Sequence, residues 1–268
     1  MGRTITIASG KGGVGKTTLT ANLGIALSQA GFSVCLIDAD VAMANLSLLL
    51  GMQSSPITLH DVLLGEASAE DAIYDGPSKI NFIPSGLSLE SYKRVDSERL
   101  ESVVKDIADR YDFILLDAPA GIEKNVLSSI SAASELLLVA TPDAPSIADV
   151  LKTKIVAQRI GSKPIGVVIN LVRGEKGEIS SEDVMKMLEL PIYGLIPYDE
   201  EVRKSFLQEK ISPVIVRKPS APASLAIQKI ALKLSGKQVV FEVPKKQSFF
   251  SSIFGRLFSI FKKKKQGE

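Results

Sequence analysis

The sequence predicts an α/β protein with a mainly parallel, twisted sheet and helices on both faces, followed by an amphipathic C-terminal tail. Three observations predict it. Short apolar runs alternate with helix-period stretches up to about position 235. Several of those runs are unbroken Val/Ile/Leu, as strands covered on both faces require. A glycine-rich loop joins the first run to the first helical stretch, and ligands of such sheets bind at the carboxyl ends of the strands.

Taken in order, the predicted strands are TITIA at 4–8, VCLI at 34–37, INFI at 80–83, FILL at 113–116, LLLVA at 136–140, IGVVI at 165–169 and IYGL at 192–195. Helices are predicted at 17–29, 96–109, 144–159, 180–188 and 221–234, in the gaps between strands and after the last one. No internal repeat breaks the pattern. One compact domain is expected over 1–235. A polar, basic linker with Pro244 inside it comes next at 236–247, then a Phe-rich tail at 248–268.

Composition narrows the chemistry. The chain has 268 residues, enough for a sizeable core. Its one Cys excludes an intramolecular disulfide and any four-cysteine zinc or iron–sulfur site within one chain, and its one His excludes a His-rich metal centre. Both suit a reducing, cytosolic compartment, and Cys35, inside an apolar run, reads as core. The first residues lack the apolar region of a secretory leader. They match a myristoylation pattern (Gly2 with Thr6), read as chance because a strand begins at once. No apolar run approaches the roughly 18 residues of a membrane span. Charge is unevenly spread. Residues 236–268 hold eight basic and two acidic groups, net +6, which leaves 24 basic and 28 acidic in the remainder, net −4.

Gly10-Lys11-Gly12-Gly13-Val14-Gly15-Lys16-Thr17, followed by Thr18, fits G-x-x-x-x-G-K-[ST] between a strand and a helix. Glycines let backbone N–H groups curl toward phosphates, and the helix N-terminus adds a favourable dipole. Lys16 reaches the β/γ-phosphates and the Thr17 hydroxyl binds Mg²⁺. Carboxylates cluster after two strands: Asp38 and Asp40 after the second, Asp117 after the fourth. One aspartate at a strand end serves equally well as a helix cap or turn; three beside a phosphate loop point to a metal. Asp117 fits the Walker B position, holding Mg²⁺ through a water. Gly121 suits a backbone N–H offered to the γ-phosphate.

Lysines at both Lys11 and Lys16 in KGGVGKTT resemble the deviant Walker A loop of the ParA/MinD family of P-loop ATPases. DAD with downstream Asn45-Leu46 resembles its switch I, and DAPAGIE its switch II. The resemblance covers about 1–235 and implies a P-loop NTPase fold with ATP as substrate and Mg²⁺ as cofactor. It implies that Lys11 crosses a dimer interface to the partner's nucleotide, and that Asp40 positions or activates the attacking water. Thr17, Asp38, Asp40 and Asp117 then serve the metal. By the same resemblance Asn170 hydrogen-bonds adenine and Arg173 stacks on it, while Pro197 and Asp199, in the segment IPYD, line the other side of the base. Taken alone, Asn170 also reads as a cap or turn residue.

On a helical wheel over 248–261, Phe249, Phe250, Ile253, Phe254, Leu257, Phe258, Ile260 and Phe261 fall within about 180°. At about 1.5 Å per residue the segment is roughly 21 Å long, too short to cross a bilayer. A bulky aromatic face followed by four lysines suits an interfacial helix on an anionic membrane. Packing on the protein's own core and nucleic-acid binding through the lysines are the competing readings. Members of the MinD type end similarly in a membrane-targeting helix.

Together these features imply an ATPase that dimerises with ATP, binds the inner face of the cell membrane reversibly from the cytoplasm, and is released by hydrolysis. It would position the division site or other surface machinery, with an adaptor or ATPase activator as a further protein partner. Two alternatives remain: a DNA-segregating ATPase of the ParA type, disfavoured by the net-negative body, and a nucleotide-dependent scaffold that hardly hydrolyses. Cluster-carrying relatives share KGGVGK but need cysteines that this chain lacks.

Overall fold

A computed structural model describes residues 2–40, 45–52, 55–86, 99–207 and 211–236. The compact unit ends at Gly236. The tail, with the eight apolar residues placed on its wheel, lies beyond that point and outside the described residues.

Eight strands appear among the described residues: β1 Arg3–Ser9, β2 Val34–Asp38, β3 Tyr74–Asp75, β4 Asn81–Ile83, β5 Phe113–Ala120, β6 Glu135–Ala140, β7 Lys163–Val172 and β8 Ile192–Pro197. They form one sheet in the order β3-β4-β2-β5-β1-β6-β7-β8. Every pairing is parallel except the short β3–β4 pair. The described helices are α1 Lys16–Gln29, α2 Leu46–Leu49, α3 Leu59–Leu64, α4 Leu100–Ile107, α5 Lys124–Ser131, α6 Ala144–Arg159, α7 Ser181–Leu188, α8 Glu200–Phe206, α9 Val214–Arg217 and α10 Pro222–Ser235. This is the P-loop NTPase architecture the sequence implied.

Alternation along the strands builds two layers of core. On one face Ile5, Ile7, Leu36, Leu115, Leu137 and Val168 pack with Leu19, Leu23 and Leu27 of α1 and Ile227, Ile230 and Leu234 of α10. On the other, Cys35, Ile37, Ile114 and Leu116 meet α3 and α4, while Leu136, Leu138, Val167 and Ile169 meet α5, α6 and α7. Cys35 is wholly buried, and burial pushes its thiol up, so it is inert core as expected.

All seven predicted strands are present, six of them with longer ends and β4 one residue shorter, beginning at Asn81 rather than Ile80. The consequential difference is β5, expected to stop at Leu116. It runs on through Asp117 to Ala120, so Asp117 sits within the sheet rather than after it. Asp38 is likewise the last residue of β2 and the register partner of Asp117. The helix expected at 96–109 is described as α4 with a short 3₁₀ turn, Ala108–Arg110; residues 96–98 lie outside the description. Helices α2, α3, α5, α8 and α9 and strand β3 were not anticipated.

The chain leaves β1 to one side toward β2, whereas β5 leads across β1 to β6 on its other side. The carboxyl end of β1 is therefore the topological switch point, where a crevice opens for ligand. The glycine-rich loop grows from it.

Candidate nucleotide site

The loop runs from the end of β1 at Ser9 into α1 at Lys16. Two glycines in it are sterically required. A Cβ on Gly10 would meet the backbone carbonyl carbon of Asp149 at 2.4 Å. Gly15, the N-cap of α1, has φ +87°, and a Cβ there would lie 2.3 Å from Asn170 Nδ2. The loop walls a cavity of about 490 Å³ that takes in Lys11, Gly12, Gly13, Val14, Gly15, Lys16, Thr17 and Thr18, with Asp40 and Asn45 also lining it. Backbone N–H groups at a helix N-terminus, opening into such a space, suit a polyphosphate.

The two lysines occupy different settings. Lys16 is 8% exposed, with its Nζ 3.7 Å from Asp117 Oδ1. The Lys11 side chain is 40% exposed and meets Asp143 Oδ1 at 3.3 Å on the rim. Asp143 is also the N-cap of α6, accepting from Ser146 N, and its carboxyl is held below the usual range: hydrogen bonds from Thr141, Ser146 and Lys11 outweigh partial burial.

Asp38 and Asp117 are buried side by side on adjacent strands. Burial pushes the Asp38 carboxyl well up, and Asp117 adds to it; backbone N–H groups of Leu46 (3.2 Å) and Asp40 (3.3 Å) oppose it. Burial raises Asp117 too, countered by Lys16 and by hydroxyls of Thr17 and Thr20. Thr20 was not foreseen. Its hydroxyl lies 3.1 Å from Asp117 Oδ1 and 3.0 Å from the Lys16 carbonyl, one turn further along α1. Two buried acids that resist ionising together, with a threonine hydroxyl against one of them, fit a divalent cation shared with phosphates and waters. Of the four residues expected to serve that cation, Thr17 and Asp40 line the cavity, whereas Asp38 and Asp117 are buried and do not; among the described residues no three acidic, His or Cys side chains are grouped closely enough to hold a metal by themselves.

A second cavity of about 250 Å³ shares Gly13, Gly15 and Thr18 with the first. Asn170, Leu171, Pro197, Tyr198, Asp199 and Arg203 line it. Asn170 Nδ2 donates to the Val14 carbonyl at 2.7 Å. Three other expected base or phosphate contacts are otherwise engaged here. The Arg173 guanidinium stacks on the Tyr198 ring, 3.7 Å from its centroid, and Tyr198 is the member of that pair that lines the cavity. The Asp199 carboxylate accepts from Glu201 N (2.9 Å) at the start of α8 and from Ala223 N (3.0 Å) at the start of α10. The Gly121 N–H donates to the Ser9 carbonyl at 3.2 Å, a bond that must open before it can serve a phosphate. The helix-cap signal at Asp199, followed by Glu200 and Glu201, was readable in the sequence; Leu171 and Arg203 gave none.

Residues 5–214 match the CobQ/CobB/MinD/ParA nucleotide binding domain. An uncharacterised ATP-binding protein of Methanocaldococcus jannaschii is 43% identical over 250 residues, covering 93% of this chain and 94% of that protein. The septum site-determining protein MinD of Synechocystis is 35% identical over 90% of this chain and 91% of its own length. Among solved structures, septum site-determining MinD of Pyrococcus horikoshii, complexed with Mg-ADP, is similar with a TM-score of 0.83 at 36% identity. That likeness covers 87% of this chain and 96% of the other.

Proposed function

The chain belongs to the CobQ/CobB/MinD/ParA family of nucleotide-binding domains, and from that premise we propose that it is a MinD-like ATPase acting as an ATP-driven switch at a membrane surface. The observation that carries the reading is the different setting of its two loop lysines. Lys16 is enclosed beside Asp117, where it serves its own chain's nucleotide. Lys11 stands partly exposed on the rim, paired with Asp143 of its own chain, and would leave that carboxylate to reach a second copy. A cation delivered by that copy would neutralise charge developing between the β- and γ-phosphates, as an arginine finger does.

ATP joins two chains face to face across their phosphate loops. Thr17, Asp38 and Asp117 would hold Mg²⁺ together with the phosphates, and the ion would supply charge neutralisation there. Asp40 orients the attacking water. The base lies against Asn170 and Pro197. Joining two chains brings two weakly binding amphipathic tails to the same surface, and the second then anchors at high effective concentration. Hydrolysis parts the chains and frees the membrane. The cellular output is spatial control of the division site or of other surface machinery, from the cytoplasmic side of the membrane, through a protein adaptor. The MinD name of relatives over nearly the full chain supports this reading.

Co-sedimentation with anionic liposomes in ATP, ADP or no nucleotide tests it, using the full chain and a truncation at Gly236. Full-length protein is expected to pellet most with ATP, and the truncation not at all. Equal pelleting in ATP and ADP would leave an anchor without a switch.

A further inference from the structure

Strand β7 breaks its own alternation beside the base cavity. Ile169 pairs with Leu195 and Val172 with Pro197, so β7 spends three residue steps where β8 spends two. The extra residue is a bulge, and Leu171 in it has φ +59°. A left-handed residue in a bulge is ordinarily glycine. The bulge changes which way side chains face. Ile169 and Val172 both join the layer beneath α6 and α7, whereas the consecutive residues Asn170 and Leu171 both line the base cavity. A regular strand would send one of these two to each face.

The bulge also fixes the chemistry of that wall. The Val14 carbonyl can only accept, so the Asn170 amide must turn its nitrogen toward it, as the 2.7 Å contact shows. Oδ1 is then the acceptor the amide has left for a ligand. An exocyclic amine on the base satisfies it; a carbonyl at the same place meets it with like charge. Leu171 adds an apolar surface beside that acceptor.

We infer that Leu171 is a positioning residue for base selectivity: its left-handed backbone holds Asn170 on the cavity face, and the site prefers 6-aminopurine over 6-oxopurine nucleotides through that placement. The inference rests on the nucleotide reading above. A β-branched residue cannot comfortably adopt this backbone, whereas glycine can. Leu171→Val therefore presses the bulge to slip and the wall to lose its acceptor, while Leu171→Gly keeps the bulge and loses only apolar contact.

Competition titrations on the full chain would compare ADP, GDP and inorganic tripolyphosphate as ligands of wild type and both variants. Leu171→Val is expected to reduce the ADP-over-GDP preference about tenfold, the worth of one well-made hydrogen bond, with tripolyphosphate affinity unchanged. Leu171→Gly should bind both nucleotides more weakly but keep the preference within about twofold. A folded Leu171→Val protein with the wild-type preference overturns the inference, as does a Leu171→Gly protein that has lost it. Should Leu171→Val fail to fold, the glycine variant alone decides. Wild-type protein that binds tripolyphosphate but shows no preference between ADP and GDP would instead overturn the adenine-site reading itself.

Discussion

Replacing Asp38 by asparagine is expected to stabilise the nucleotide-free protein while impairing its response to Mg-nucleotide. Asp38 is wholly buried beside an equally buried Asp117, and its carboxyl is pushed well above the usual range, first by burial and then by its neighbour. An acid with a raised folded-state pKa holds its proton longer in the native than in the unfolded chain. Native protein therefore binds more protons above about pH 4, and stability falls as pH rises from there toward the folded-state value. Asparagine removes that penalty. Its carbonyl keeps one of the two backbone N–H bonds now made to Leu46 and Asp40, at a loss of about 1 kcal/mol for the other. Against this stands relief from burying a charge beside a like charge, worth several kcal/mol once both acids ionise. The net gain should be about 2 kcal/mol at pH 8, or roughly 4–8 °C in melting temperature for a domain of this size, shrinking toward zero near pH 5. Thermal melts with chelator present, from pH 5 to 8, measure it, and repeat melts with Mg-ADP should show the variant gaining less than wild type. A variant that melts below wild type at pH 8, or that keeps the wild-type pH slope, refutes the reasoning.

Other substitutions separate the remaining roles. Lys16→Ala should abolish Mg-ATP binding by calorimetry, because the phosphates lose the enclosed cation beside Asp117. Lys11→Ala should keep nucleotide binding by the single chain but lose the ATP-dependent dimer; a normal dimer by light scattering removes Lys11 from the cross-chain role. Asp40→Ala should accumulate as a long-lived ATP dimer, and wild-type turnover in that variant would mean another group orients the water. Phe254→Glu should abolish pelleting on anionic liposomes with nucleotide affinity intact, since it puts a charge near the middle of the apolar face.

The sheet was legible because parallel strands covered on both faces are written as unbroken apolar runs, and FILL and LLLVA cannot be mistaken for loops. The two residues of β3 are too few to carry a period. Helix α2 is LSLL, four residues with no polar face to mark it. Helix α5, KNVLSSIS, turns Val126 and Ile130 inward, but its serines read as loop after DAPAGIE. Helix α3 did carry a signal, the capping box of Thr58 and Asp61, which the pattern of apolar residues obscured. The phosphate loop was legible because its chemistry is contiguous in sequence. The base cavity was only half so. Asn170 was found through family likeness, whereas the bulge that aims it depends on a leucine in a backbone conformation leucines seldom adopt, and no residue type announces that.

Arg3, at the amino end of β1, grips Glu135 at the amino end of β6 with Nε (3.0 Å) and Nη2 (2.6 Å), and its Nη1 donates to the Leu234 carbonyl in the last turn of α10. The compact unit thus hands its chain onward from the rim of the sheet opposite the phosphate loop. At about 3.3 Å per residue, the seven residues of β1 set those rims roughly 23 Å apart. Whatever follows Gly236 therefore leaves the compact unit on the side of the sheet away from the cavity lined by Lys11, Lys16 and Asp40. A segment joined at Gly236 is thereby attached far from the phosphate loop, and its length or sequence can vary without altering a residue that lines that cavity.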